Sequence, residues 1–173
     1  MEDTQTQNTT QVPTPAASSA PVNANASGTP TPASVPVSGP SEKKYKVLII
    51  DDDKFLLDMY SMKFTERQFA VEVAFGSMEA LEKLKGGARP DIILLDIVMP
   101  NMDGFELLQE IKNQNLAAEA VVIILSNLGQ KEDIERGLKL GADGYIIKAS
   151  STPTEVVNKV LEIAKPKTGP TGS

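Results

Sequence analysis

Val47-Leu48-Ile49-Ile50-Asp51-Asp52-Asp53 sets four consecutive aliphatic residues directly before three acids. A short apolar run without polar alternation describes a strand covered on both faces, as in a parallel sheet sandwiched between helices. The same sentence is repeated downstream. Asp91-Ile92-Ile93-Leu94-Leu95 is a second buried strand and ends at Asp96, and Ala120 to Leu125 is another that ends at Ser126. Val71 to Phe75 and Tyr145-Ile146-Ile147 complete a set of five strands, the last followed by Lys148.

Helical spacing fills the intervals. Lys54 to Phe69 offers Phe55, Leu56, Met59, Met62 and Phe64 as an apolar face. Ser77 can cap a helix that runs to about Lys85. Phe105 to Lys112 is helical, and Gln130 to Leu140 is a charged helix closed by Gly141. Thr152-Pro153-Thr154-Glu155 is a capping box with proline in the first turn, which starts a last helix ending near Lys165. Strands alternating with helices imply parallel pairing through right-handed crossovers. The expectation is an α/β, doubly wound, five-stranded domain over residues 43–165.

The flanks differ in composition. From Thr4 to Ser41 there is no charged side chain, and the segment holds seven of the chain's twelve prolines. Lacking aromatics and long aliphatics, residues 1–42 cannot bury enough surface to offset ordering entropy, so a disordered arm acting as a tether is expected there. Residues 166–173 are expected to fray as a tail. Across 173 residues there is no cysteine and no histidine. Disulfides, thiolate or imidazole metal sites and Ser-His or Cys-His nucleophiles are thereby excluded, and a cytoplasmic location fits. No run approaches the ~18 apolar residues of a membrane span. A net charge of −6 without a basic cluster argues against direct nucleic-acid binding.

The polar residues fall at one edge. In an open parallel sheet, ligands bind beyond the carboxyl ends of the strands. Here those ends deliver Asp51-Asp52-Asp53, Asp96, Ser126 and Lys148. Carboxylates set so close repel one another, and a divalent cation removes that penalty; all-oxygen ligation suits Mg²⁺. A carboxylate beside it can act as a nucleophile toward phosphorus, while a hydroxyl and an ammonium contact the oxygens of the transferring group.

With Val47 to Asp53, Leu95-Asp96-Ile97-Val98-Met99-Pro100-Asn101-Met102-Asp103-Gly104, Ile124-Leu125-Ser126 and Gly141 to Lys148 in place, the chain resembles the receiver domain of bacterial two-component response regulators. The resemblance implies a flavodoxin-like strand order of 2-1-3-4-5 and a phosphorelay role. It implies Asp96 as the phosphoacceptor, Asp52 as a direct Mg²⁺ ligand, and Asp51 acting on the metal through water. The Val98 backbone carbonyl becomes a further ligand and Lys148 the partner of the phosphoryl group. Ser126 and Tyr145 become a conformational switch, and Tyr145 also reads as an ordinary half-buried aromatic.

A histidine kinase or phosphotransfer protein is the implied donor. A downstream protein would be met through the helix at 130–140, the fifth strand and the helix at 153–165. With no output domain after it, a stand-alone module is expected, catalysing only its own phosphoryl transfer and slow dephosphorylation. The alternative is a degenerate receiver that binds partners independently of phosphorylation. Asp53 reads as a helix N-cap, and Asp103-Gly104 as a turn that opens a helix.

Three positions depart from the family pattern. Ala149 stands where proline usually follows the lysine; a non-proline cis bond costs about 2.5–4 kcal/mol, so this peptide is expected to be trans or the loop reshaped. Asn127 is larger than usual, and would either restrict access to Asp96 or hydrogen-bond the phosphoryl group. Val98 and Leu128 replace polar side chains that orient water in some relatives, so slow hydrolysis of phospho-Asp96 is expected.

Overall fold

Each of the four aliphatics Val47 to Ile50 is at most 2% exposed, and the reason is a layer of helices on either side of the strand that carries them. The computed structural model describes residues 45–165, so the arm at 1–42 and the tail at 166–173 lie outside the described residues. The chain runs β1 (Lys46–Asp51), α1 (Lys54–Glu66), β2 (Ala70–Phe75), α2 (Ser77–Lys85), β3 (Ile92–Leu95), α3 (Gly104–Asn113), β4 (Val121–Ser126), α4 (Lys131–Lys139), β5 (Gly144–Ile147) and α5 (Pro153–Ala164). All strand pairs are parallel, in the order β2-β1-β3-β4-β5.

Alternation along each strand sorts the core into two halves. Leu48, Ile50, Ile93, Leu95, Val122 and Ile124 pack with Leu81 and Leu84 of α2 and Phe105, Leu108 and Ile111 of α3. Val47, Ile49, Ile92, Leu94, Ile123 and Leu125 pack with Leu57 and Phe64 of α1 and Val156, Val157 and Val160 of α5. Each such side chain contributes about 1.5–3 kcal/mol on burial, which fixes the strand ends where the polar residues begin.

The first helix is shorter than its spacing suggests, and only part of the expected face meets the core: Phe64 is buried and Leu56 and Met59 are partly buried against it. The helix ends at Glu66, and its buried residues are Leu57, Tyr60 and Phe64. Phe55 and Met62 point to solvent, 73% and 54% exposed. Two apolar stripes compete on this helix, and spacing alone does not say which one meets the sheet. Phe69 falls outside the helix, beyond a left-handed Gln68 at φ 63°, and packs edge-on against Phe64 with centroids 5.1 Å apart.

Ser77 is not the cap of α2. Gly76 holds that position at φ 83°, and Ser77 is the first helical residue. The start of α5 is as the sequence indicates: the Glu155 N–H donates to Thr152 Oγ1 (3.3 Å), and the Thr152 N–H donates to Glu155 Oε2 (2.7 Å). There is no cis peptide among the described residues, and Lys148–Ser150 form a short 3₁₀ turn after β5. No described helix is long and apolar enough to cross a membrane.

Candidate functional site

The carboxyl ends of β1, β3, β4 and β5 meet at one edge. Asp51 is the last residue of β1 and only 3% exposed. Its Oδ1 accepts the Asp53 N–H at 2.9 Å, which turns the chain out of the strand. Asp53 then caps α1, accepting from the N–H groups of Phe55 (2.8 Å) and Leu56 (3.2 Å). Its carboxylate is committed to the helix, as the N-cap reading expects. Asp52, between them, is half-buried.

Asp96 follows β3 directly, its N–H donating to the Ile50 carbonyl at 2.9 Å, and is 6% exposed. One carboxylate oxygen from each of Asp51, Asp52 and Asp96 lies within 4.8 Å of the others. Lys148, the first residue past β5, reaches across to this group. Its Nζ is 2.5 Å from Asp51 Oδ2 and 3.2 Å from Asp96 Oδ1.

Burial raises the Asp96 carboxyl above the ordinary carboxylate range, and the nearby Lys148 only partly opposes it. Burial works against a charged Lys148, but its bonds to Asp51 and the charge of Asp96 outweigh that and hold its pKa above the usual lysine value. The arrangement is an anionic oxygen cluster with one fixed cation, buried at the mouth of the sheet.

Ser126 ends β4 and is fully buried. Its Oγ accepts the Leu128 N–H (3.3 Å), and the Tyr145 hydroxyl donates to the Leu128 carbonyl (2.9 Å). One residue therefore joins both members of the expected switch. Tyr145 is half-buried and packed on the core, with its hydroxyl pKa raised by burial. Asn127 is exposed at the strand end.

Val98 lies in the loop after Asp96 with its side chain 58% exposed. Among the described residues, the backbone bonds within this loop end on the carbonyls of Ile97 and Pro100 and leave that of Val98 free of them.

Two contributors escape local sequence reading. Asp103 caps α3 in a reciprocal box with Glu106, as a turn that opens a helix should. Gly104 does more: a Cβ there would lie 2.1 Å from the Asp96 carbonyl oxygen, so only glycine lets α3 approach this closely. Tyr60, buried on α1, has its hydroxyl pKa raised by burial and feels the charges of Lys148, Asp51 and Asp96. An Asp-Gly pair before a helical pattern hints at the first; nothing local signals the second.

The family profile described as the response regulator receiver domain matches residues 47–161. A chemotaxis protein CheY from Halobacterium salinarum is 35% identical over 118 residues, covering 67% of this chain and 96% of that protein. A gliding motility regulatory protein from Myxococcus xanthus is 37% identical over 109 residues; the match covers 63% of this chain but 14% of that larger protein. Among solved structures, the receiver domain of the Francisella response regulator 1452 superposes with a TM-score of 0.64 at 37% identity, over 70% of this chain and 98% of that one. With the sheet order and the acidic strand ends already in place, these matches make the chain a member of the response regulator receiver domain family, the receiver modules of two-component phosphorelay signalling.

Proposed function

We propose that Asp96 accepts a phosphoryl group from a histidine kinase or phosphotransfer protein, and that Mg²⁺ is held beside it by Asp51, Asp52, Asp96 and the Val98 carbonyl. The observation that carries this reading is the convergence of three carboxylate oxygens within 4.8 Å at the sheet's carboxyl edge. Hard oxygen donors with net negative charge fit Mg²⁺, and Lys148 alone leaves the cluster anionic. When bound, the cation supplies charge neutralisation for the phosphoryl oxygens.

A carboxylate oxygen of Asp96 forms the bond to phosphorus while the bond from phosphorus to the donor imidazole nitrogen breaks. The product is an acyl phosphate, and the donor leaves as neutral imidazole after taking a proton from solvent. Lys148, held by Asp51, contacts a phosphoryl oxygen. The Ser126 hydroxyl turns to another, and so withdraws the acceptor that the Leu128 N–H now uses. Tyr145 reports that change through the Leu128 carbonyl to the surface of α4, β5 and α5, where a downstream protein binds. No reaction beyond the module's own phosphorylation and its reversal is part of this reading.

The test is intact mass after incubation with Mg²⁺ and acetyl phosphate. One added phosphoryl group, absent in Asp96→Asn and abolished by chelator, is expected. If neither acetyl phosphate adds mass nor beryllofluoride with Mg²⁺ raises the melting temperature, a phosphorylation-independent adaptor replaces this reading.

A further inference from the structure

The start of α2 makes two bonds that reach the end of β1 and the loop after β3. Gly76, at φ 83°, donates its N–H to the Asp51 carbonyl at 3.0 Å and to the Ala74 carbonyl at 3.1 Å. Ser77, 2% exposed, donates its hydroxyl to the Met102 carbonyl at 2.6 Å, with the Met99 sulfur 3.8 Å away. A serine at a helix start ordinarily turns its oxygen onto its own helix's free N–H groups. Here α2 has no side-chain cap, and the hydroxyl crosses to another loop.

Met102 belongs to the 97–103 loop that follows Asp96 and carries Val98. Inside that loop the Met102 N–H bonds the Pro100 carbonyl (2.9 Å) around a left-handed Asn101 at φ 68°. The N–H groups of Met99 and Gly104 both bond the Ile97 carbonyl (3.1 and 2.9 Å). Gly104 holds the far end of the loop against the Asp96 backbone. In the near part Ile97 and Met99 are buried in the core while Val98 between them is exposed, and Ser77 adds a polar hold on Met102, two residues before Gly104. Two hydrogen bonds joined by the Gly76–Ser77 backbone thus link the Asp51 carbonyl to the Met102 carbonyl. They tie the end of β1 to the loop after β3.

We propose that Ser77 is a positioning residue for phosphoryl acceptance: by holding the Met102 carbonyl beside Gly76's hold on Asp51, it fixes the 97–102 loop at the distance from Asp51 that the cation requires. This deepens the reading above and rests on it. Ser77 touches neither cation nor phosphoryl group. Its loss widens the spread of loop positions, so cation binding weakens, while the chemistry at saturating Mg²⁺ is left nearly intact.

The experiment compares the full-length chain with Ser77→Ala, Ser77→Thr and Val160→Ala. Val160 is a fully buried α5 side chain that serves as a control for general destabilisation. Two quantities are read: amide exchange at Met99, Met102 and Gly104 without Mg²⁺, and the Mg²⁺ concentration for half-maximal phosphorylation by acetyl phosphate. In Ser77→Ala, exchange at these amides should quicken roughly tenfold and the Mg²⁺ midpoint rise about fivefold, with the saturated rate within about twofold of wild type.

Ser77→Thr, which keeps the hydroxyl, should restore both, and Val160→Ala should lower the melting temperature without moving the midpoint. An unchanged midpoint in Ser77→Ala, an equal shift in Val160→Ala, or no rescue by threonine overturns the role of Ser77. A wild-type chain that takes no phosphoryl group and shows no Mg²⁺ effect overturns the function itself, whatever Ser77 does.

Discussion

Lys148 stands closer to Asp51 than to Asp96: its Nζ is 2.5 Å from the first carboxylate and 3.2 Å from the second. The lysine side chain is 8% exposed and the two acids 4% and 7%, so this is a buried cluster in which one cation serves two anions. Removing one partner of such a cluster leaves uncompensated charge, at a cost of about 3–5 kcal/mol. Lys148→Met should therefore be destabilised by that order in urea denaturation with chelator present. Added Mg²⁺ should recover part of the loss. A loss that is the same with and without Mg²⁺ would show that Lys148 is not the cluster's counter-ion.

The raised Asp96 carboxyl gives a pH signature. Its pKa is higher folded than unfolded, mainly through burial. The stability it contributes is therefore fully present below the unfolded value of about 4 and is lost as pH rises through the folded value. Asp96→Asn, which never ionises, escapes that loss. In chelator at pH 7 the variant should melt above wild type, and the margin should close as pH falls below about 4. A wild type that melts higher at pH 7 contradicts the burial argument.

Exposure on α1 makes a sharp contrast. Phe55→Glu and Met62→Glu, at solvent-facing positions, should each change stability by less than about 0.5 kcal/mol. Leu57→Ala, on the buried face of the same helix, should cost about 2–5 kcal/mol. Chemical denaturation of the three variants checks this, and a large loss in Met62→Glu would return the helix to the orientation its spacing first suggests.

On the proposed phosphorylation of Asp96, two apolar side chains bear on how long the acyl phosphate lasts. Val98 is 58% exposed two residues after Asp96 and Leu128 is half-buried, and neither carries a polar group to orient water. Phospho-Asp96 should decay slowly. Val98→Asn with Leu128→Glu should speed its loss roughly tenfold, equivalent to about 1.4 kcal/mol of barrier. Decay followed by intact mass supplies the number, and an unchanged rate would remove the two positions from the account.

The strands and the acids were readable because both obey local rules. A doubly covered strand is apolar throughout, and in an open parallel sheet a polar residue at its carboxyl end stands where ligands bind. Asp51, Asp96, Ser126 and Lys148 are thus assigned to one edge by the sequence pattern alone. The Thr152 box at α5 was equally local.

What was not readable depends on contacts distant in sequence. The rotation of α1 is set by which stripe finds the sheet, and Phe55 and Met62 mimic a core stripe as well as Leu57 and Phe64 do. Ser77 looked like a cap because the left-handed Gly76 before it leaves no trace in composition. The contact of Gly104 with the Asp96 backbone is an approach between two elements, which no window of sequence contains.

Of the nine residues of α4, only Gly137 is buried, and a Cβ there would meet Ile124 Cδ1 at 2.4 Å and the Tyr145 ring at 3.3 Å. The helix is seated by an absent side chain rather than by a row of anchors. Its outward positions can therefore be exchanged with little penalty to folding. If α4 carries the proposed partner surface, the choice of partner is separable from the fold so long as the glycine stays.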